Sequence, residues 1–276
     1  LSLQVAKTYE QIVYWQHQER LYSYLDSLYQ NFSKASDRRF ELGETNYLEK
    51  ITAQSKYRQI KTKLTQINFE KKAQYESLQA LVQSDEKISI LEKELVPIPT
   101  LDTTSNKAIH TAYLESISKM YKSQISLQKQ HWLPDLNLEY FQGRNNGLSQ
   151  SLYGFQVGIA VPILFSGNVS KTKVAQLESQ SWEEQKQNQE QKMTQFIRQQ
   201  QNEIAKYQES INYYNATGKK LSEEIIKVAN SSYKNGEIDF FQYIQSLENA
   251  VAIKIEYVEA VLQFNSNQLE LHYLNF

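Results

Sequence analysis

Apolar positions recur every three or four residues at both ends of the chain, and every second residue only in its middle. Over residues 1 to about 42, Leu21, Leu25, Leu28, Phe32 and Ala35 follow a 4-3-4-3 order that lays one stripe along a helix. Gly43 interrupts it. Asn46 then offers an N-cap, and Glu49 three residues on completes a capping-box signal before a run toward Leu81 and Val82. The pattern predicts a long antiparallel hairpin with its tip at Gly43 and helix extending to about residue 89.

The same plan returns in the last third. Ile204, Tyr207, Ile211, Tyr214, Gly218, Leu221, Ile225, Val228 and Ser232 alternate strictly between spacings of three and four, a coiled-coil seam. Gly236 follows. Asp239 then reads as an N-cap with Gln242 three residues on, ahead of Phe240, Ile244, Leu247, Val251, Ile255, Val258 and Leu262. This second hairpin, tipped at Gly236, is predicted to keep residues 169–276 almost wholly helical.

Gly236 stands 193 residues after Gly43, and at that offset Phe40-x-x-Gly43-Glu44 falls on Tyr233-x-x-Gly236-Glu237, Asn46 on Asp239 and Ile51 on Ile244. The stripes agree as well, with Leu21, Leu28, Phe32 and Ala35 on Tyr214, Leu221, Ile225 and Val228. Cap, turn and stripe in phase over so long a period imply duplication of a whole structural unit.

Between the hairpins the helical period fails. Pro97 and Pro99 make residues 94–105 a linker, and a helix is predicted over about 105–130. Leu136, Leu138 and Tyr140 then alternate with Asp135, Asn137 and Glu139. Tyr153, Phe155, Val157, Ile159 and Val161 likewise alternate with Gly154, Gln156, Gly158 and Ala160, giving two strands around a polar turn at Arg144 to Gln150. The expected division is a first hairpin over 1–96, a linker over 97–104, a helix over 105–132, a β-hairpin over 133–165 and a second hairpin over 166–276. The class is mainly α.

Composition sharpens this reading. All four prolines lie between residues 97 and 162, so the long flanks carry no strong helix breaker. A net charge of −1 in 276 residues gives no basic surface for nucleic acid. The longest apolar run, Ile159 to Phe165, is far short of the roughly 20 residues of a membrane-spanning helix. Zero cysteines exclude disulfides and thiolate sites but leave the compartment open. The chain opens LSLQVAKTYE, without an initiating Met or a visible targeting segment, so either one has been removed or the sequence starts inside a longer protein.

Chemistry is sparse. His17, His110, His131 and His272 stand in no metal-ligand spacing, and there is no phosphate loop or nucleophile elbow, so neither catalysis nor a metal or cofactor site is expected. The glutamines crowding residues 176–208 read as the wet face of a helix. In the second strand one face is large and apolar while the other is Gly, Gln, Gly, Ala, as in a barrel strand with lipid outside and water inside. A soluble hairpin capping a bundle would show the same alternation; the strand lengths, close to the roughly 9 to 11 residues a membrane strand needs, favour the barrel.

The order of helix, Tyr/Phe-x-x-Gly tip, helix, linker, helix, Leu133-Pro134 opening one strand, Val161-Pro162-Ile163-Leu164-Phe165 closing the next, then helix, tip and helix resembles the TolC-like outer-membrane efflux proteins. LPDLNLEYFQG (133–143) and YGFQVGIAVPILFSG (153–167) look most like the TolC-like segment associated with, or fused to, heavy-metal efflux pumps of the CzcA/CusA type. The resemblance covers nearly the whole chain. It implies a homotrimer whose protomers each give four strands to a shared barrel and their helices to a periplasmic tunnel. Only one strand pair is visible, so a helix and two strands are expected ahead of residue 1.

Further implications concern function. The resemblance implies an outer-membrane channel of a tripartite RND-type system that conducts heavy-metal cations or small toxic compounds and does not catalyse. Its partners would be a periplasmic adaptor, an inner-membrane RND pump and, through Leu136, Leu138, Tyr140, Tyr153, Phe155, Val157, Ile159 and Val161, outer-membrane lipid. Gly43, Glu44, Gly236 and Glu237 match the tips that meet the adaptor. Tyr233 resembles a tyrosine near the periplasmic entrance, though seam packing explains it equally well. With Asp239 nearby, the positions where some members carry an acidic ring are Gln242 and Gln245, which does not support such a ring. The alternative is a soluble coiled-coil structural protein, which has no use for the 135–161 strands, or the hairpin of a periplasmic adaptor, which would need additional β-domains that this length does not hold.

Overall fold

The computed structural model describes the chain except residues 84, 85, 87, 93, 101–103, 145–150, 162–165 and 274–276, and the side chains of 104–107, 144, 151 and 152. In chain order the elements are α1 (Ser2–Glu41), α2 (Tyr47–Val82), α3 (Thr104–Gln130), β1 (Asp135–Arg144), β2 (Ser151–Ala160), α4 (Ser166–Tyr213), a π-helical turn (Tyr214–Gly218), α5 (Lys219–Lys234) and α6 (Phe240–Tyr273). Helix takes up 81 % of the structure, where globular domains average about 30–35 %. The chain forms two compact units, residues 1–103 with 196–275 and residues 104–195.

In the first unit α1 packs against α2, α1 also against α6, and α6 against α5. The inward faces are broader than the heptad row: Leu21, Leu28 and Phe32 pack half-buried against the core as expected, and most of the fully buried positions lie beside them. Buried positions are Leu25, Tyr29, Ser33 and Ser36 on α1, and Gly218, Ser222 and Ala229 in the second repeat. Leu221 and Val228, expected in the seam, are 40 % and 54 % exposed. A straight helix drifts only about 20° per heptad from a 3.5-residue row, far less than the about 100° between successive residues, so the inward surface is a stripe wider than one heptad row. The repeat extends to the fully buried positions, since Leu25, Tyr29 and Ser36 fall on Gly218, Ser222 and Ala229 at the same 193-residue offset.

α6 is the most apolar helix. Its predicted row holds, with Phe240, Ile244, Leu247, Val251, Val258 and Leu262 all buried. Toward the tips it joins Leu25, Tyr29, Ala53 and Ala229 in one core cluster; further along it meets Val13, Leu95 and Ile211 in another. Lys56 of α2 reaches Glu248 of α6 at 2.6 Å, and Lys71 of α2 reaches Glu19 of α1 at 2.5 Å.

Helix α2 stops at Val82, short of the predicted residue 89, on Gln83 in the left-handed conformation (φ 52°). The non-helical connection therefore begins about ten residues before the predicted linker. Side chains of the neighbouring helices tie its backbone down. Asn265, fully buried on α6, accepts from the Ile98 N–H (2.9 Å) and donates to the Val96 carbonyl (2.9 Å) and to Glu10 of α1 (2.7 Å). Pairing with residues i and i+2 of an extended segment, its amide acts as one rung of a sheet ladder. His17 adds a second tether, Nδ1 accepting from the Leu95 N–H at 3.4 Å, and Leu95 fills the core beside it. Burial and the neighbouring Arg20 hold the His17 imidazole below its ordinary pKa, which keeps Nδ1 free to accept.

The second unit contains α3, the first part of α4 and the β-hairpin. Trp182 of α4 stacks on Tyr121 of α3 (6.0 Å between centroids) and donates to Ser118 Oγ at 3.0 Å. At the foot of the hairpin the Trp132 indole donates to Thr172 Oγ1 (3.1 Å) and Asn168 donates to the His131 carbonyl (2.8 Å). Leu114, Ala175 and Met193 are buried.

Candidate functional site

Both tips are built the same way. At the first, the Gly43 N–H donates to the Phe40 carbonyl (3.0 Å) and the Glu44 N–H to the Arg39 carbonyl (2.8 Å). At the second, Gly236 donates to Tyr233 (3.2 Å) and Glu237 to Ser232 (2.8 Å). These are the paired bonds of the Schellman motif, with φ +73° at Gly43 and +71° at Gly236. Only glycine adopts that conformation without steric cost.

The caps differ. Asp239 Oδ1 accepts from the Gln242 N–H (2.8 Å) while Gln242 Oε1 accepts from the Asp239 N–H (3.1 Å), a complete capping box. At the first tip only half of it forms: Asn46 Oδ1 accepts from the Glu49 N–H (2.9 Å), but the Glu49 side chain does not return to Asn46. It is buried at 8 % exposure and accepts instead from Arg39 Nη1 (2.9 Å) and Thr45 Oγ1 (2.6 Å). A charged partner outbids a backbone amide for a buried carboxylate. Sequence spacing carries no sign of this, because Arg39 reaches Glu49 only once the turn has folded.

Arg39 also donates to the Tyr233 hydroxyl at 3.3 Å, joining the two tips. The Tyr233 ring stacks on Tyr243 (4.7 Å, 17°) and meets Phe32 edge-on, and burial raises its hydroxyl pKa. Tyr233 is thus packed in the seam with its hydroxyl on the Arg39 pair. Gln242 and Gln245 are exposed, and Gln245 donates to Asn249 at 3.1 Å. Glu237 accepts from Ser232 (2.7 Å) and Asn235 (3.1 Å), which lowers its pKa.

The hairpin presents a different surface. Its register pairs Leu136 with Ile159, Leu138 with Val157, Tyr140 with Phe155 and Gln142 with Tyr153, so the two alternations coincide on one face. Leu136, Leu138, Tyr140, Tyr153, Phe155, Val157 and Ile159 are 58–78 % exposed. The opposite face pairs Asp135 with Ala160, Asn137 with Gly158, Glu139 with Gln156 and Phe141 with Gly154. Phe141 covers Gly154 so closely that a Cβ there would stand 2.5 Å from its Cζ. Val161, counted with the strands from its alternation, lies one residue beyond β2, and the predicted turn and the 162–165 closing segment lie outside the described residues. Among the described residues no group of His, Cys, Asp or Glu could hold a metal, and no helix is long and apolar enough to cross a membrane.

The uncovered amphipathic strand pair and the second tipped hairpin are matched by the family profile described as Outer membrane efflux protein, over residues 118–274. The chain belongs to that family. Search of curated protein sequences finds no match. Among solved structures, the outer membrane protein VceC from Vibrio cholerae aligns with a TM-score of 0.80 at 16 % identity, covering 99 % of this chain and 68 % of VceC. The CmeC outer membrane channel of Campylobacter jejuni gives 0.80 at 14 % (98 % and 61 %), and CusC gives 0.80 at 14 % (97 % and 66 %). At such identities the likeness is one of fold, and the chain spans about two thirds of the length of these channels. The TolC-like architecture expected from the sequence is therefore the one observed.

Proposed function

We propose that this chain forms part of the exit duct of a tripartite RND-type efflux system, a passive outer-membrane channel reaching into the periplasm, which conducts heavy-metal cations or small toxic compounds and performs no catalysis. Three copies close the barrel and the tunnel. The observation that carries this reading is the hairpin face from Leu136 to Ile159: seven large apolar side chains, uncovered, on strands of ten residues each. In water such a face is an aggregation liability, whereas in a bilayer it is the surface a barrel strand requires. Gly43, Glu44, Gly236 and Glu237 stand at the tips that would meet a periplasmic adaptor, with Tyr233, Asp239, Gln242 and Gln245 at the periplasmic entrance. The metal cargo is supported by the resemblance of residues 133–143 and 153–167 to segments that accompany CzcA/CusA-type pumps.

Disruption of the gene tests it. Sensitivity to at least one metal cation or toxic compound is expected to rise and to be restored by the wild-type gene, with the protein in the outer-membrane fraction. Unchanged tolerance across a metal and drug panel, or a protein absent from that fraction, overturns the reading.

A further inference from the structure

We propose that Phe141 and Gly154 form a joint that sets the register of the β-hairpin, and through it the stagger with which the strands close a barrel; the second half of this statement rests on the barrel reading above. Alternation leaves the register open. If β2 slid by two residues in one direction, Leu136 would face Val157, Leu138 would face Phe155, and Tyr140 would exchange the Phe155 ring (5.0 Å between centroids) for that of Tyr153. In the other direction Leu138 would face Ile159 and Tyr140 would face Val157. The apolar face stays apolar in both, so its burial does not choose among the three registers.

The polar face decides. Phe141 is its one aromatic residue, and the ring lies over Gly154 on the other strand. A Cβ built on Gly154 would stand 2.5 Å from Phe141 Cζ and 2.8 Å from Cε2, so the far edge of the ring occupies the space a side chain would take. Glycine inside a strand has no side chain to pack and marks a close approach; here the ring supplies the missing cover. Neither slip keeps this arrangement, since Phe141 would stand opposite Leu152 or Gln156 and Gly154 opposite Glu139 or Gly143. The second glycine of β2 shows the difference: a Cβ on Gly158 meets only Asn137 Cβ, at the ordinary contact distance of 3.8 Å.

Register matters because a barrel closes only when its strands are staggered by a fixed amount for their number and tilt. Symmetry repeats one slip in every copy, so a two-residue error in this hairpin changes the stagger all the way round. The loss then appears in assembly, not in the helical packing, which the hairpin does not share. The ring needs no hydrogen bond or charge to do this, only a seat that one register offers.

The test reads register by cross-linking in the protein expressed from its full gene. The sequence has no cysteine, so introduced pairs report alone. Asn137→Cys with Gly158→Cys reports the observed register, the 3.8 Å between their Cβ positions being that of a disulfide. Asn137→Cys with Gln156→Cys, or with Ala160→Cys, reports the two slips, because such diagonal positions lie about 7–8 Å apart unless the strand moves. After oxidation and tryptic cleavage at Arg144, only a disulfide holds the two strand peptides together in the mass spectrum. With the native Phe141 and Gly154, the first pair is expected to close at least about tenfold more completely than either other pair. Phe141→Ala should bring the three within about threefold of one another and deplete the heat-stable oligomer, and Gly154→Ala, which only unseats the ring, should act in the same direction. Phe141→Tyr should keep the native ratio, and the exchange Phe141→Gly with Gly154→Phe should restore it. A native ratio in both alanine variants, or an exchange no better than Phe141→Ala, overturns the proposal. A native cross-link in a protein absent from the outer-membrane fraction upholds the joint and overturns the duct reading, so the two failures are told apart.

Discussion

Arg39 Nη1 stands 2.9 Å from Glu49 Oε1 and 3.3 Å from the Tyr233 hydroxyl, so one guanidinium neutralises a buried carboxylate of the first hairpin and holds the last turn of the second. Truncating it leaves Glu49 buried without its cation. Arg39→Ala is expected to cost about 1–3 kcal/mol, below the value for a fully buried pair because the arginine is partly exposed. The loss should be local. Amide exchange from Glu44 to Glu49 and around Tyr233 should quicken, and Glu49→Gln on the Arg39→Ala background should recover part of the stability. Exchange unchanged at both tips would show that the pair is incidental.

The glycine turns make a prediction with an internal control. A Cβ built on Gly43 or Gly236 meets nothing within 4 Å, so any cost of substitution is backbone strain. Gly236→Ala should destabilise the tip by about 1 kcal/mol. Gly236→Asn should cost less, since asparagine tolerates the left-handed region. Gly43 should give the same order. Thermal unfolding of the four single variants measures it, and equal effects of Ala and Asn would exclude the strain explanation.

These tips were the most legible part of the sequence. Gly43 and Gly236 each terminate a stripe and precede a capping residue, which are local signals that tertiary structure does not override. The stripe is legible on α1, where Leu21, Leu28 and Phe32 pack against the core, and less so on α5, where Leu221 and Val228 are exposed and the inward places go to Ser222 and Ala229, which give little apolar signal. Glu49 was assigned to a cap because its competitor, Arg39, lies across the turn. Asn265 gave only a faint signal, a polar residue in the inward row between Leu262 and Leu269, and its partners sit in a linker whose course no periodicity describes. Alternation alone assigns each hairpin residue to its face, since a slip of one residue would bring apolar positions opposite polar ones, but it does not separate registers that differ by two.

That asparagine carries the next prediction. Asn265→Leu keeps a similar volume but removes both bonds to the linker and the donor to Glu10, leaving buried polar groups without partners. A loss of about 2–4 kcal/mol is expected. The linker should loosen first, seen as faster proteolysis between Leu91 and Pro99 and faster exchange at Ile98. Asn265→Asp should fail similarly, because it replaces the donor facing Glu10 with another carboxylate. Wild-type proteolysis in the leucine variant would show that Leu95 packing alone holds the segment.

Acidification acts on the same linker through two groups of opposite sign. The folded pKa of His17 is lowered, chiefly by burial and then by Arg20, so below the ordinary value of about 6.5 the unfolded chain takes up a proton that the folded chain resists. Stability should therefore fall as pH drops from about 7 toward the lowered folded value, where Nδ1 becomes an N–H and no longer accepts from Leu95. Glu10 is raised by burial, against the opposing Asn265 bond. Its contribution is present below the unfolded carboxyl value of about 4.3 and is lost as pH rises through its folded value. His17→Gln should flatten the unfolding midpoint between about pH 5 and 7, leaving the acid-side change from Glu10. An identical profile in wild type and variant would remove His17 from the account.

The hairpin's two faces can be separated with neighbouring residues. Val157 and Gln156 share one backbone environment in the middle of β2, and only the face they occupy differs. If the Val157 side faces lipid, an arginine there must leave water for hydrocarbon or drag headgroups inward, at about 2–4 kcal/mol per strand near the bilayer midplane. In a threefold assembly the penalty is paid in every copy, enough to deplete the heat-stable oligomer from the outer membrane. An arginine at 156 would remain in water, directly across from Glu139, and should assemble normally. Val157→Thr, which keeps the shape and strand preference but adds one hydroxyl, should fall between them and much nearer the wild type. Equal assembly of Val157→Arg and Gln156→Arg would mean that neither face meets lipid, and the strand pair would then have to be covered by protein on its apolar side.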